Sequence, residues 1–412
     1  MDFREFHLHR EVEAGVEAAG FSVPTPIQVR GIPAVMAGRD VLGLAQTGTG
    51  KTAAFVLPIL DRLMGGPRNK VRALVLAPTR ELAEQIRRDA VLLGQRTGLR
   101  SVSIYGGVGI GPQAAQLKKS QIVVACPGRL LDHMGRGNVD FSGLEMLVLD
   151  EADMMFDMGF LPDIRRILQK LPRKRQTLLF SATMPSEIRS LASEVLCDPK
   201  TIQVGACAPA ETVSHAMFPV ARHQKTELLM EILRRTETRS VLVFTRTKHS
   251  AKNLGEKLAR AGYRSASLQG NLSQGKRQAA LDGFRSGEFK VLVATDIAAR
   301  GIDVTRVSHV INYDVPSTPD AYIHRIGRTG RAASTGSAYT MVTSEDMVMV
   351  RAISRLLGGP IESRKLPGFD YSTKAPAAEK AAPAPQNSPA FQPRRNGRAP
   401  QGRSSRPRRF AG

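Results

Sequence analysis

The sequence predicts an α/β protein made of two parallel-sheet domains in tandem, followed by a basic, disordered tail. Three observations carry that prediction. Short runs of Val, Leu, Ile and Ala alternate with helix-like stretches along most of the chain. Near-continuous apolar strands belong to parallel sheets covered by helices on both faces. One plan is also written twice, as VRALVLAPTRELAEQI…GLRSVSIYGG in residues 71–107 and as TRSVLVFTRTKHSAKNL…GYRSASLQGN in residues 238–271. Each copy is an apolar run, a Thr-Arg pair, a helix-like stretch and a second apolar run ending at Gly. Finally, the composition changes near Tyr371, after which Pro, Ala, Ser, Gln and Arg dominate.

The first domain is expected over residues 1–205. Asp40–Leu44 reads as a strand, Lys51–Leu63 as a helix, Ala73–Ala77 as a strand and Glu81–Leu93 as a helix. The apolar runs Gln121–Ala125, Met146–Leu149 and Thr177–Phe180 continue the alternation. Small residues in 205–210 mark a linker, taken as 206–212. A second domain is expected over 213–360, with strands at Val241–Phe244, Ser265–Leu268, Val291–Ala294, Val307–Asn312 and Ala338–Val342. The remainder, 361–412, is read as a disordered tail. Residues 371–412 hold nine Lys/Arg and one Glu, so +8 of the net +22 lies there. A segment of that composition cannot bury a core.

Composition narrows the function. A net charge of +22 on 412 residues favours a polyanionic partner, with nucleic acid first. The three cysteines, Cys126, Cys197 and Cys207, have neither metal-binding spacing nor the makings of a disulfide framework, so reduced thiols in the cytoplasm are expected. The polar start, MDFREFHLHR, lacks the apolar core of a signal peptide, and no run of eighteen apolar residues predicts a membrane span.

Ala45-Gln-Thr-Gly-Thr-Gly-Lys51-Thr52 sits between a predicted strand and a predicted helix. In that setting Gly48 and Gly50 allow the backbone to close on phosphates, and amide N–H groups at a helix start point at phosphate oxygens. Lys51 would neutralise the β and γ phosphates, and Thr52 would offer its hydroxyl to Mg²⁺. The apolar run Met146–Leu149 ends in Asp150-Glu151, which puts carboxylates at the ligand-binding carboxyl edge of the sheet. Asp150 suits a Mg²⁺ shell and Glu151 suits orienting and deprotonating a water. Ser181-Ala-Thr183 follows another apolar run; alone it reads as a helix cap. Arg325, Arg328 and Arg331 in HRIGRTGR lie three apart, the spacing of one helix face, and guanidinium groups there can spread phosphate charge.

With these motifs in order, the chain resembles the DEAD-box ATP-dependent RNA helicases, in layout the bacterial RhlE-like group. The resemblance covers residues 1 to about 360 and includes the family's eponymous Asp150-Glu-Ala-Asp153. It implies two tandem RecA-like domains with ATP, Mg²⁺ and RNA bound across their cleft. It implies an adenine site at Gln28 and Phe21, with Phe3 as the upstream aromatic. The phosphate cradle is Ala45, Gln46, Thr47, Gly48, Thr49, Gly50, Lys51 and Thr52, and Asp303 touches the ribose. It casts Ser181 and Thr183 as the coupling between hydrolysis and strand separation. His324 links across the cleft, and Arg328 and Arg331 are arginine fingers. RNA contacts are implied at Pro78, Thr79, Arg80, Gly106, Gly107, Gly128 and Arg129, and at Thr245, Gln274, Arg277, Thr295 and Gly301. Taken with the repeat, Thr79-Arg80 and Thr245-Arg246 are expected at equivalent strand ends, suited to backbone rather than base contacts. Ribosomal precursors and RNA-degradation complexes are partner classes the resemblance allows; the oligomeric state is left open. Departures from the family pattern are Cys126 for Thr, Gln269 for His, Ala333 for Gly and Phe6 for Leu. An ATP-gated RNA clamp or annealer shares the motif set, and a DNA-directed motor or a P-loop kinase fits it less well.

Overall fold

A computed structural model describes residues 2–45, 48–204, 213–236, 240–299, 307–329 and 336–373, with Ile297 by its backbone alone. The described residues up to Tyr371 form one compact unit. This unit holds two lobes, each with its own sheet.

In the first lobe the strands are β1 (Val41–Ala45), β2 (Ala73–Leu76), β3 (Ser101–Ile104), β4 (Ile122–Ala125), β5 (Met146–Leu149), β6 (Gln176–Ser181) and β7 (Lys200–Val204). The second lobe has β8 (Val213–Pro219), β9 (Val241–Thr245), β10 (Ser265–Leu268), β11 (Val291–Thr295), β12 (His309–Asn312), β13 (Gly336–Val342) and β14 (Glu362–Ser363). The sheet orders are β3-β4-β2-β5-β6-β1-β7 and β10-β11-β9-β12-β13-β8-β14. Every pairing is parallel. Each strand of the first lobe has its counterpart seven strands later in the same place, so the repeat read in two segments extends to the whole of both sheets. The strands β2, β4, β5, β6, β9 and β12 are buried along their full length, as expected where helices cover both faces. Cores of Leu, Val, Ile and Ala lie on both sides of each sheet.

Local capping chemistry explains where the helices begin. Thr79 accepts the Leu82 N–H and opens the helix Arg80–Leu93, while Thr247 accepts the Ser250 N–H and opens Lys248–Arg260. Each removes one orphan donor from a helix start. This corrects the expected equivalence of the two halves. The counterpart of Thr79 is Thr247, two residues beyond Thr245: each cap lies six residues after the start of its strand, Ala73 in β2 and Val241 in β9, and the two strands hold corresponding places in their sheets. Thr245 is buried, and its hydroxyl donates to the Thr247 carbonyl at 3.3 Å.

The expected tail begins too early at 361. Ile361 is buried, β14 pairs with β8, and Leu366, Phe369 and Tyr371 pack on the second lobe's core. Gln224 Nε2 donates to the Asp370 carbonyl at 2.7 Å, and the Tyr371 hydroxyl accepts the Leu366 N–H at 2.8 Å. Two aromatic rings supply apolar area that overrides the polar composition around them. The expected linker 206–212 and nearly all of the basic tail lie outside the described residues.

His309 is buried and His215 half-buried in the second lobe; His215 Nδ1 is 3.2 Å from the Tyr322 hydroxyl, and His309 packs on Tyr339. Burial lowers both pKa values below the ordinary 6.5. The unfolded chain therefore binds protons more readily than the folded one, and stability present above pH 6.5 is lost as pH falls below it. We expect the melting temperature of the second lobe to drop between pH 7 and pH 5. His309→Asn should blunt that drop; an equally steep fall in the variant would contradict this account.

Candidate nucleotide site and RNA interface

The phosphate loop leaves β1 at Ala45 and enters the helix Lys51–Leu63. Gly48 and Gly50 have φ of 86° and 91°, a region that side chains resist. A Cβ on Gly50 would also stand 2.6 Å from Gln28 Nε2. Gln28 is buried at the start of the helix Pro26–Met36. Its Oε1 accepts the Thr25 N–H at 2.9 Å, and its Nε2 donates to the Gly50 carbonyl at 3.1 Å. A carboxamide has two donors and two acceptor sites on its oxygen, so one of each is left to face an adenine edge. Phe21, 37% exposed, meets the buried Phe3 edge-on at 5.9 Å between centroids, which fixes the orientation of its ring. Gln46 and Thr47 lie outside the described residues.

Lys51 and Glu151 meet at 3.0 Å with both side chains about 5% exposed. Glu151 adopts φ 53° and ψ 53° at the end of β5, a left-handed turn rare outside Gly, just where the chain leaves the sheet. Burial disfavours every charge here, yet the cluster is mixed in sign. Burial pulls the Lys51 pKa down, but the Glu151, Asp150 and Asp153 carboxylates outweigh it and hold it high. Burial pushes Glu151 up, but Lys51 and Arg328 hold it low, so it is ionised. Asp150 is raised, by burial first and by its acidic neighbours. Its carboxylate also accepts the Glu151 N–H at 3.0 Å.

Asp153 fastens β5 to the end of β6. Its Oδ2 accepts the Ala182 N–H (3.1 Å), the Thr183 N–H (2.8 Å) and the Thr183 hydroxyl (3.0 Å), while its own N–H donates to Ser181 Oγ at 3.3 Å. The structure thus brings Ser181 and Thr183 to the acidic motif. From the second lobe, His324 Nε2 lies 3.7 Å from that same Asp153 Oδ2, and the charge of Arg328 acts on Glu151. One triplet therefore receives groups from both lobes.

The arginine series does not share a helix face. The helix Pro319–Ile326 ends at Gly327, so Arg325 is inside it and Arg328 beyond it. Arg325 is 2% exposed and turned into its own lobe. It pairs with both Asp296 oxygens (2.6 and 2.8 Å), donates to Asn312 Oδ1 (3.0 Å) and the Asp314 carbonyl (2.6 Å), and stacks on Phe244. That clamp joins the ends of β9, β11 and β12. Arg331, Asp303, Gly301 and Ala333 lie outside the described residues.

On the first lobe's rim, Pro78, Thr79 and Arg80 follow β2. The Arg80 guanidinium fills the space above Gly107, where a Cβ would collide with it, and Gly107 has φ 81°. Arg129, next to Gly128 in the helix Pro127–Gly135, donates to the Val108 carbonyl at 3.0 Å. These predicted contacts therefore form one cluster. Cys126 caps the same helix without a side-chain bond, and burial pushes its thiol up to about 12. On the second lobe, Gln274 and Arg277 reach across to Glu81, at 3.3 and 2.8 Å. The sequence reading missed Glu81 as a partner, since an acid in a first helical turn is ordinary. Thr295 ends β11 beside the clamped Asp296. Gln269 is buried and accepts the Asn271 N–H at 2.6 Å, the work of a turn residue.

The sequence matches two family patterns, DEAD/DEAH box helicase over residues 25–191 and helicase conserved C-terminal domain over 224–333. It is 42% identical over 370 residues to the DEAD-box ATP-dependent RNA helicase CshA of Bacillus licheniformis, covering 89% of this chain and 76% of that protein. It is likewise 42% identical over 367 residues to RhpA of Helicobacter pylori, covering 89% and 74%. Among solved structures it is similar to Saccharomyces cerevisiae Dbp5 bound to RNA and ADP BeF3, with a TM-score of 0.81 and 32% identity over 89% of this chain and 95% of that one. The likeness spans both lobes. A paired sheet of identical strand order, a phosphate loop in the first lobe only, and an acidic triplet met from the second lobe agree with these relatives: the chain belongs to the DEAD-box ATP-dependent RNA helicases.

Proposed function

We propose that this helicase binds Mg-ATP and single-stranded RNA together across the two lobes, and that closing the cleft bends one RNA strand and melts a few adjacent pairs. The observation that carries this reading is the meeting of Lys51, Glu151 and Arg328, groups of both lobes around one phosphate loop. ATP phosphates would take Lys51 from Glu151. The freed, ionised carboxylate would then orient the attacking water and receive its proton. Arg328 and Arg331 would spread the charge that develops on the transferred phosphoryl group, and Gln28 would select adenine through its spare donor and acceptor. Thr52 and Asp150 are the oxygen donors suited to Mg²⁺. Asp150 is a buried carboxylate whose pKa is raised by burial first and by Glu151 and Asp153 even though Lys51 is near, so a divalent cation held there by one or two protein oxygens and phosphates would be favoured. When bound, Mg²⁺ would neutralise phosphate charge at this site. Asp153 would pass the state of the site to Thr183 and, through His324, to the second lobe.

The rim residues Thr79, Arg80, Gly106, Gly107, Gly128 and Arg129 offer a hydroxyl, guanidinium groups and close backbone approach, which suits sequence-independent phosphate contact. Gln274 and Arg277 would act there chiefly by holding the lobes together through Glu81. Thr247, as the structural counterpart of Thr79, joins the proposed rim in the second lobe. We place the activity in the cytoplasm: Cys126 and Cys197 are free thiols, and no described helix is long and apolar enough to cross a membrane. Ribosomal precursors or an RNA-degradation complex are the partner classes we propose.

The test is the steady-state ATPase rate without polymer, with single-stranded RNA and with single-stranded DNA, using Lys51→Ala as blank. We expect strong stimulation by RNA alone, absent from the blank. Equal stimulation by DNA would point to another motor. Annealing of a labelled duplex without ATP-dependent separation would favour a clamp.

A further inference from the structure

We propose that the amino-terminal edge of the first lobe's sheet is a second RNA-binding face, gripping phosphates of a structured RNA whose single strand lies in the cleft. The proposal rests on the RNA-helicase reading and adds a site to it. In a parallel sheet all strands enter from one edge. The nucleotide and RNA groups occupy the carboxyl edge, so the loops that precede the strands gather at the opposite one.

That opposite edge is basic. Arg68 and Lys70 precede β2, Arg96 and Arg100 precede β3, and Lys118 and Lys119 precede β4. These three strands are neighbours in the order β3-β4-β2, and all six side chains are exposed. The acids of this edge are occupied elsewhere. Glu145 pairs with Arg62 and Arg72, Asp198 pairs with Arg39, and Asp140 accepts the Ser142 N–H and hydroxyl, with Lys70 acting on it only through charge. The six cations thus lack a carboxylate bond among the described residues.

One buried side chain holds the three loops together. Gln121, 3% exposed, donates from Nε2 to the Arg68 carbonyl and to the Lys119 carbonyl (3.2 Å), and accepts the Arg100 N–H at Oε1 (2.9 Å). Arg68 also donates to the Thr97 carbonyl at 3.1 Å. A single carboxamide therefore gathers cations that would otherwise repel one another. Such repulsion is relieved when phosphates bind and counterions leave. Four-residue strands separate the two edges by about 13 Å before loops are added. A short strand filling the cleft would not reach this face, whereas a hairpin joined to that strand would.

The test uses the full chain carrying Arg68→Gln, Lys70→Gln, Arg100→Gln and Lys119→Gln together. Fluorescence anisotropy would follow two RNAs over a range of salt, a short single strand and the same strand joined to a hairpin. Hairpin RNA should bind at least about tenfold more weakly, with a log–log salt slope flatter by about 3, since each lost phosphate contact removes about 0.7–0.9. Short-strand binding and RNA-stimulated ATPase should match the parent chain. Charge-conserving swaps, Arg to Lys or Lys to Arg at the same four positions, should retain hairpin binding. Unchanged hairpin affinity, or equal weakening of both RNAs, would overturn the proposal. A parent chain whose ATPase ignores RNA would instead sink the helicase reading beneath it.

Discussion

Glu151→Gln is expected to slow ATP hydrolysis by about 10²–10⁴-fold, the range for loss of a positioned general base, while leaving ATP and RNA binding in place. The amide keeps the shape of the side chain but cannot receive a proton. The structure also indicates why the variant should fold. Glu151 is one of three carboxylates around Lys51, and its charge contributes to the raised pKa of Asp150. Removing it relieves Asp150 while Asp150 and Asp153 still face Lys51. The cross-lobe pairs Glu81–Arg277 and Asp153–His324 are untouched. Without hydrolysis to reopen the cleft, the variant should hold RNA in a long-lived complex with ATP. Single-turnover hydrolysis and the RNA dissociation rate measure the two halves of this claim. Rapid RNA release by the variant in ATP would refute the second.

Arg325→Ala and Arg328→Ala are expected to fail in different ways, although the two residues are three apart in one motif. Arg325 is a buried clamp. Its loss leaves Asp296 and Asn312 without their partner, and breaking a buried ion pair from one side costs about 3–5 kcal/mol. Asp296 is 24% exposed by side chain, which favours the lower end. For a lobe of this size that is a fall in melting temperature on the order of 10 °C. Arg328 faces Glu151 from across the cleft. Its loss should leave melting nearly unchanged and reduce RNA-stimulated hydrolysis by about 10³-fold or more, the scale of an arginine finger. Thermal melting and steady-state ATPase on both variants decide the matter. Equal melting temperatures with equal loss of activity would show that the clamp has been misread.

That contrast marks where the sequence was legible. The phosphate loop and the Asp-Glu pair are local: strand, turn and helix start are neighbours in the chain, so spacing alone predicts their geometry. The two-sheet architecture was legible for a similar reason, because apolar runs of four to six residues record burial on both faces. Thr79 was paired with Thr245 because the Thr-Arg letters match there, whereas the structural counterpart is Thr247, followed by Lys248, at the same distance from its strand start. The start of the tail was misread because Phe369 and Tyr371 need a surface to pack on, and that surface comes from a helix more than a hundred residues earlier.

The sequence by itself determined the class of chemistry. Lys51, Thr52, Asp150 and Glu151 follow the ends of two predicted strands at one sheet edge, and the excess of positive charge demands a polyanion. Only the tertiary structure decided which groups meet. Glu81 joins Gln274 and Arg277, His324 meets Asp153, Arg325 turns inward while Arg328 turns to the cleft, and Gln121 collects three basic loops. Each of these is a contact between residues distant in the chain. Such contacts are set by how sheets and helices stack, and a linear pattern of residues carries periodicity but not the distance between two faces.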